Sequence, residues 1–189
     1  MTKTRLEAFS DAVIAIIMTV MVLELRVPHG ADWAALRPMV PSFLTYVLSF
    51  VMLGIYWNNH HHMFHATERV TGSVLWANLH LLFWLSLIPF VTGWMGENHF
   101  EALPTAIYGV ILLMSAISYT MLQMTIIAGH ASSHLARAIG RDWKGKVSLV
   151  LYAASIPLAF VNQWISDAIF VTVALIWFIP DRRIEAALH

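Results

Sequence analysis

Between Ala12 and Leu25 the sequence reads Ala-Val-Ile-Ala-Ile-Ile-Met-Thr-Val-Met-Val-Leu-Glu-Leu, an apolar run broken only by Thr19 and a late Glu24. Five further stretches resemble it, so candidate apolar segments fall at roughly 6–27, 40–63, 70–95, 103–128, 147–162 and 165–180. A helix needs about 20 largely apolar residues to cross a bilayer, because lipid offers the backbone no hydrogen-bond partners. The last two stretches are short, yet the pattern predicts an all-α integral membrane protein with six transmembrane helices. Gly30, Pro38 and Pro41 punctuate the first interval, Glu68-Arg69 the second and Gly96-Glu97-Asn98-His99 the third. The polar stretch from His130 to Lys146 forms the fourth, and Asn162-Gln163 leaves a tight turn for the last. No linker, low-complexity tract or visible duplication divides the chain, so residues 1–189 read as a single six-helix transmembrane domain.

Composition agrees with a lipid environment. The chain is 59% hydrophobic and 12% charged, with a mean hydropathy of +0.68, whereas soluble domains carry roughly 25% charge. Eleven basic and eleven acidic residues balance, which gives no electrostatic basis for nucleic-acid binding. The absence of cysteine excludes disulfides, thiolate metal sites and cysteine nucleophiles. Lys3 and Arg5 before an apolar run suggest a signal peptide, but Asp11 interrupts the run and no small-x-small cleavage site follows.

Cytoplasmic loops are enriched in Lys and Arg. Nine of the eleven basic residues, Lys3, Arg5, Arg69, Arg137, Arg141, Lys144, Lys146, Arg182 and Arg183, fall on one side of a six-span arrangement, against Arg26 and Arg37 on the other. Both termini are therefore expected in the cytoplasm, with Glu97 and Glu101 outside.

Polar residues at membrane depth cost a few kcal/mol unless they face a cavity or a partner. Arg5 and Asp11 stand six apart, too far for an i,i+4 pair, so Asp11 either seeks a partner on another helix or sits among lipid headgroups. The second segment ends in Trp57-Asn58-Asn59-His60-His61-His62-Met63-Phe64-His65, and the third carries Trp76, Asn78, His80, Trp84 and Ser86 before Pro89. This density of imidazole and amide fits an interhelical hydrogen-bond network, a pH-sensitive gate or a metal site, with His61 and His65 one turn apart. No Asp or Glu lies within those two segments to complete a carboxylate-bridged metal centre. Trp57, Trp94 and Trp164 fall near helix ends, where indoles anchor to the membrane interface. In the first segment, Ile16, Val20 and Leu23 follow i, i+4, i+7 with Thr19 beside them, a stripe that suits helix packing or a pore lining equally by spacing.

Arg5-Leu-Glu-Ala-Phe9-Ser10-Asp11 resembles the R-x-x-x-F-S-D signature of the transmembrane-protein-175 potassium channels. The following Ala-Val-Ile-Ala-Ile, Trp57 with its histidine cluster, Asn78 and the Ser86-Leu-Ile-Pro89-Phe90 end of the third segment extend the likeness, as does the six-helix layout. Animal members contain two such repeats; this chain has one. The resemblance implies a homotetramer in the plasma membrane of a prokaryote, modestly selective for potassium over sodium. Its pore would be lined by the first helix, without a re-entrant loop or a carbonyl filter. It implies an apolar constriction at Ile16, Val20 and Leu23, with the Thr19 hydroxyl affecting selectivity; Val20 is smaller than the Leu of the family pattern. Arg5, Phe9, Ser10, Asp11, Trp57, His60, His61, Asn78 and His80 would hold the first helix at its working rotation. Glu24 would either concentrate cations at the outer mouth or pair with Arg26 or Arg37. No cofactor, resident metal or catalytic residue is implied beyond permeant K+.

Competing readings differ in what they require. A membrane metalloenzyme would use His60, His61, His62, His65 and His80, and a proton channel would exploit the same imidazoles. A secondary transporter would need paired broken helices, and Pro89 and Pro157 do not make such a pair.

Overall fold

The computed structural model describes residues 2–65, 67, 70–128 and 143–178. Arg69, Arg137, Arg141, Arg182 and Arg183, used above for orientation, lie outside the described residues. The described part is all-helical: α1 (Lys3–Val20), α2 (Trp33–Leu36), α3 (Val40–His65), α4 (Gly72–Ser86), α5 (Ile88–Glu97), α6 (Ala102–Ala128), α7 (Trp143–Ala159) and α8 (Gln163–Phe178). Short 3-10 turns at Met21–Glu24 and Arg37–Met39 lead out of α1 and into α3. Among the described residues, Lys3–Glu24, Trp33–His65, Gly72–Glu97 and Ala102–Ala128 are long and apolar enough to cross a membrane, while α8 is apolar but shorter.

Local chemistry sets where these helices start and stop. Thr71 caps α4, its hydroxyl accepting from the Val74 N–H at 3.3 Å, a bond that satisfies one of the first-turn donors. The third predicted segment is one span made of two helices. Pro89 has no N–H to give the Leu85 carbonyl and its ring crowds that oxygen, so the helix breaks at Leu87 and restarts with Pro89 in the first turn of α5. The first segment also departs from a continuous helix over 6–27. Its α-helical hydrogen bonding ends at Val20 and Leu23 lies in the tighter 3-10 turn. Three residues make a full 3-10 turn, so Leu23 stacks over Val20 rather than drifting around the axis.

The core is assembled around α6, which packs against α4, α5, α7 and α8. Tyr108, Leu112 and Leu122 of α6 are fully buried, together with Phe64, Leu81, Leu85, Ile88, Met95 and Phe170. α1 joins through one stripe only, with Leu6, Ser10, Ile14 and Ile17 buried against α3 and α4. α3 and α5 approach closely at Gly96, where an added Cβ would lie 2.6 Å from the Ser42 Cα and from the Thr45 Oγ1.

Gly96→Ala is therefore expected to destabilise the protein by about 1–3 kcal/mol. Gly54→Ala, in a helix interior with nothing within 4 Å of the new Cβ, should be neutral or stabilising by up to about 1 kcal/mol. Thermal unfolding in detergent distinguishes the two signs.

Candidate functional site

The two faces of α1 are chemically alike and structurally opposite. Ile14 and Ile17 are buried, whereas Phe9, Ile16, Val20 and Leu23 are exposed, Ile16 at 60% and Leu23 at 77%. Ala8, Ala12, Ala15 and Thr19 are exposed between them. The Thr19 hydroxyl donates to the Ile16 carbonyl at 2.9 Å, which leaves its oxygen able to accept on the exposed face. This stripe is largely apolar, continuous over four turns and uncovered by any other element among the described residues.

What fixes the rotation of that stripe is a buried chain of hydrogen bonds on the opposite face. His60 Nε2 of α3 meets Asn78 Oδ1 of α4 at 2.8 Å, and Asn78 Nδ2 donates to Ser10 Oγ of α1 at 2.9 Å. Ser10 Oγ then donates to the Leu6 carbonyl at 2.9 Å. Because the Asn78 oxygen accepts, His60 carries its proton on Nε2. Ser10, His60 and Asn78 are all buried, so each bond sits where an unpaired partner would cost about 1–3 kcal/mol. The seat of Ser10 is correspondingly specific: rotating α1 by one residue would break the contact to Asn78.

Two more exposed contacts flank this chain. Trp57 Nε1 donates to Asp11 Oδ1 at 3.1 Å, and Lys3 Nζ donates to the His65 carbonyl at 2.9 Å. Asp11 thus has its partner on another helix. The remaining residues of the expected cluster are not drawn in. Arg5 and Phe9 are exposed, and Arg5 makes no hydrogen bond or ion pair within the described residues. His61 is exposed and lies between Trp57 and His65, with ring centroids 6.4 and 6.3 Å away. His80 is occupied elsewhere, accepting from Trp84 Nε1 at 3.0 Å. Among the described residues no three His, Asp or Glu side chains converge as metal ligands would, and His60 already spends its Nε2 on Asn78.

At the other end of α1, Arg26 pairs with Glu97 at 2.8 Å rather than with Glu24. Glu24 folds over Gly93 of α5, where an added Cβ would lie 3.1 Å from Glu24 Oε2, and it makes no ion pair within the described residues. Two features escaped the sequence reading. One is a line of buried hydroxyls in which Thr92 Oγ1 meets Ser49 Oγ and the Ile88 carbonyl, each at 2.7 Å, and Ser49 meets the Tyr108 hydroxyl at 2.8 Å. The other is Asp167 in α8, a carboxylate four residues past the Asn162-Gln163 turn whose position within an apolar run was the available signal.

A multi-pass, all-helical membrane protein emerges whose first helix is pinned by buried polar bonds while its outer apolar stripe stays bare. The model of the endosomal/lysosomal potassium channel TMEM175 family matches residues 5–89, the stretch that holds Ser10, Asp11, Trp57, His60 and Asn78. A potassium channel of Chryseobacterium sp. (strain P1-3) is 53% identical over 189 residues, covering 100% of this chain and 98% of that protein. The crystal structure of a lysosomal potassium-selective channel TMEM175 homolog from Chamaesiphon minutus superposes with a TM-score of 0.82 at 27% identity, covering 94% of this chain and 96% of that one. The endosomal/lysosomal proton channel TMEM175 of Danio rerio is 26% identical over 135 residues, 69% of this chain but 25% of that protein. The chain belongs to the TMEM175 family of ion channels.

Asn78→Ala removes one bond from Ser10 and one from His60 and should cost about 2–4 kcal/mol, a fall in Tm of roughly 5–15 °C for a chain of this size. Arg5→Ala should change stability by less than about 0.5 kcal/mol. Equal effects in a thermal melt would contradict the assignment of the buried chain as the anchor.

Proposed function

We propose that the chain forms a potassium-selective channel, a homotetramer in a prokaryotic plasma membrane with six spans per subunit, both termini cytoplasmic and α1 innermost. The observation that carries this reading is the bare stripe of Ile16, Thr19, Val20 and Leu23 on a helix whose rotation is fixed from behind. A single copy of α1 cannot enclose a pathway, whereas cyclic symmetry turns each exposed residue into a ring. The names of bacterial relatives as potassium channels give the ion.

Rings of branched apolar side chains gate by dewetting: a narrow ring sheds water and stops ions, and a small outward rotation of α1 rewets it. Such a ring has no negative field, so the preference for potassium rests on its lower dehydration cost, helped by the Thr19 oxygen. Selectivity is then modest. Glu24, left without Arg26, supplies a carboxylate at the mouth that raises the local cation concentration. The pathway needs no cofactor, resident metal or catalytic group.

Purified protein in liposomes tests this. Wild type should pass potassium faster than sodium, and Ile16→Asn, by wetting the ring, should raise sodium flux and bring the ratio down by roughly threefold or more. Light scattering of the detergent-solubilised protein should give a mass of four copies. Absence of potassium and sodium flux in wild type, with sound reconstitution, removes the pore assignment.

A further inference from the structure

Asp167 is a carboxylate set within the apolar run of α8. It is the fifth residue of α8, past the first turn, where Asn162 caps the helix by accepting from the Trp164 N–H at 3.0 Å. It therefore receives none of the free backbone donors of the helix start. Both carboxyl oxygens are buried, and neither has a hydrogen-bond partner among the described residues. An ionised carboxylate placed this way costs several kcal/mol, which binding a proton removes.

Among the described residues, the elements packed against α8 supply no cation near Asp167. α8 packs against α3, α6 and α7. The described α6 contains no Lys, Arg, His, Asp or Glu, and its Tyr108 packs against Phe170, three residues past Asp167. α7 contributes Tyr152, whose ring lies 6.4 Å from that of Phe170. Its Lys144 sits at the opposite end of α8, over Trp177, and Lys146 follows two residues on. The histidines of α3 are at that far end too, and beside Tyr108 α3 offers Ser49.

Tyr108 opens a continuous path. Its hydroxyl meets Ser49, Ser49 meets Thr92, and the residue after Thr92 is Gly93, against which Glu24 at the end of the first span is folded. Phe170, one turn beyond Asp167, packs edge-on against the Tyr108 ring at 5.1 Å. We propose that Asp167 is a proton-binding site, and that its gain or loss of a proton is passed to the pore helix along the Tyr108–Ser49–Thr92 hydroxyl chain. The second half rests on the channel reading; the first does not.

Infrared titration and flux test the two halves together. In wild type labelled with carbon-13 aspartate, a protonated-carboxyl C=O band should be present at neutral pH, fade as pH rises, and be missing from Asp167→Asn. Potassium flux in liposomes should vary by roughly threefold or more between about pH 5 and about pH 9. Asp167→Asn should lose that variation and hold the acidic-side rate at every pH. Tyr108→Phe should keep the infrared band and lose the flux variation. If labelled wild type shows no protonated aspartate band at any pH, the proton site is overturned. If the band titrates but the flux curves of wild type and Asp167→Asn coincide, the transmission is overturned. Should wild type pass no potassium, the channel reading fails while the infrared titration still decides whether Asp167 holds a proton.

Discussion

The contact on which the rest depends is the amide of Asn78, held between Ser10 and His60. An amide oxygen and nitrogen used at once, by two different helices and out of water, leave few alternative arrangements that keep every group satisfied. In lipid the apolar surface of α1 gives no instruction about which side faces inward, because hydrocarbon solvates Ile16 and Ile14 equally well. Buried hydrogen bonds supply that instruction. They turn a helix that is apolar all round beyond Asp11 into one with a packed side and a bare side.

The packing behind α1 then decides how rigid that choice is. α6 lies at the centre, and the break at Leu87 lets α4 carry Asn78 to the anchor while α5 turns to reach α3 and the 3-10 end of the first span. Gly96 permits the closest part of that approach. The two polar clusters occupy different levels of the same bundle. Ser10, Asn78 and His60 hold the end of α1 near Lys3, and Thr92, Ser49 and Tyr108 tie α5, α3 and α6 nearer the end marked by Glu97.

Much of this was legible because membrane folding writes its main signals locally. Apolar runs of sufficient length mark the spans, whereas the break before Pro89, which its missing N–H enforces, divides a segment that reads as continuous. Ser10 and Asn78 were readable as polar groups at depth, and the motif around Ser10 pointed to the family. The partners were less legible, since spacing along one helix says nothing about which neighbour arrives. His60 rather than His61 takes Asn78 because the helical phase of α3 turns one inward and the other out. His80 went to Trp84, one turn along its own helix. Arg26 found Glu97 across a turn instead of the nearby Glu24. Asp167 was marked only by its place within an apolar run, with nothing in that run to show what surrounds it.

The central claim is that the bare stripe of α1 faces water in the assembled protein while other exposed apolar faces meet lipid. The chain has no cysteine, so single cysteines can be placed without background and probed with a membrane-impermeant, positively charged thiol reagent during flux. Cysteines at Ile16, Thr19, Val20 and Leu23 should react and block potassium flux, while cysteines at Met124 of α6 and Val150 of α7, equally exposed in one subunit, should stay unreactive. Unreactive cysteines along α1, or reaction there that leaves flux unchanged, would contradict the account.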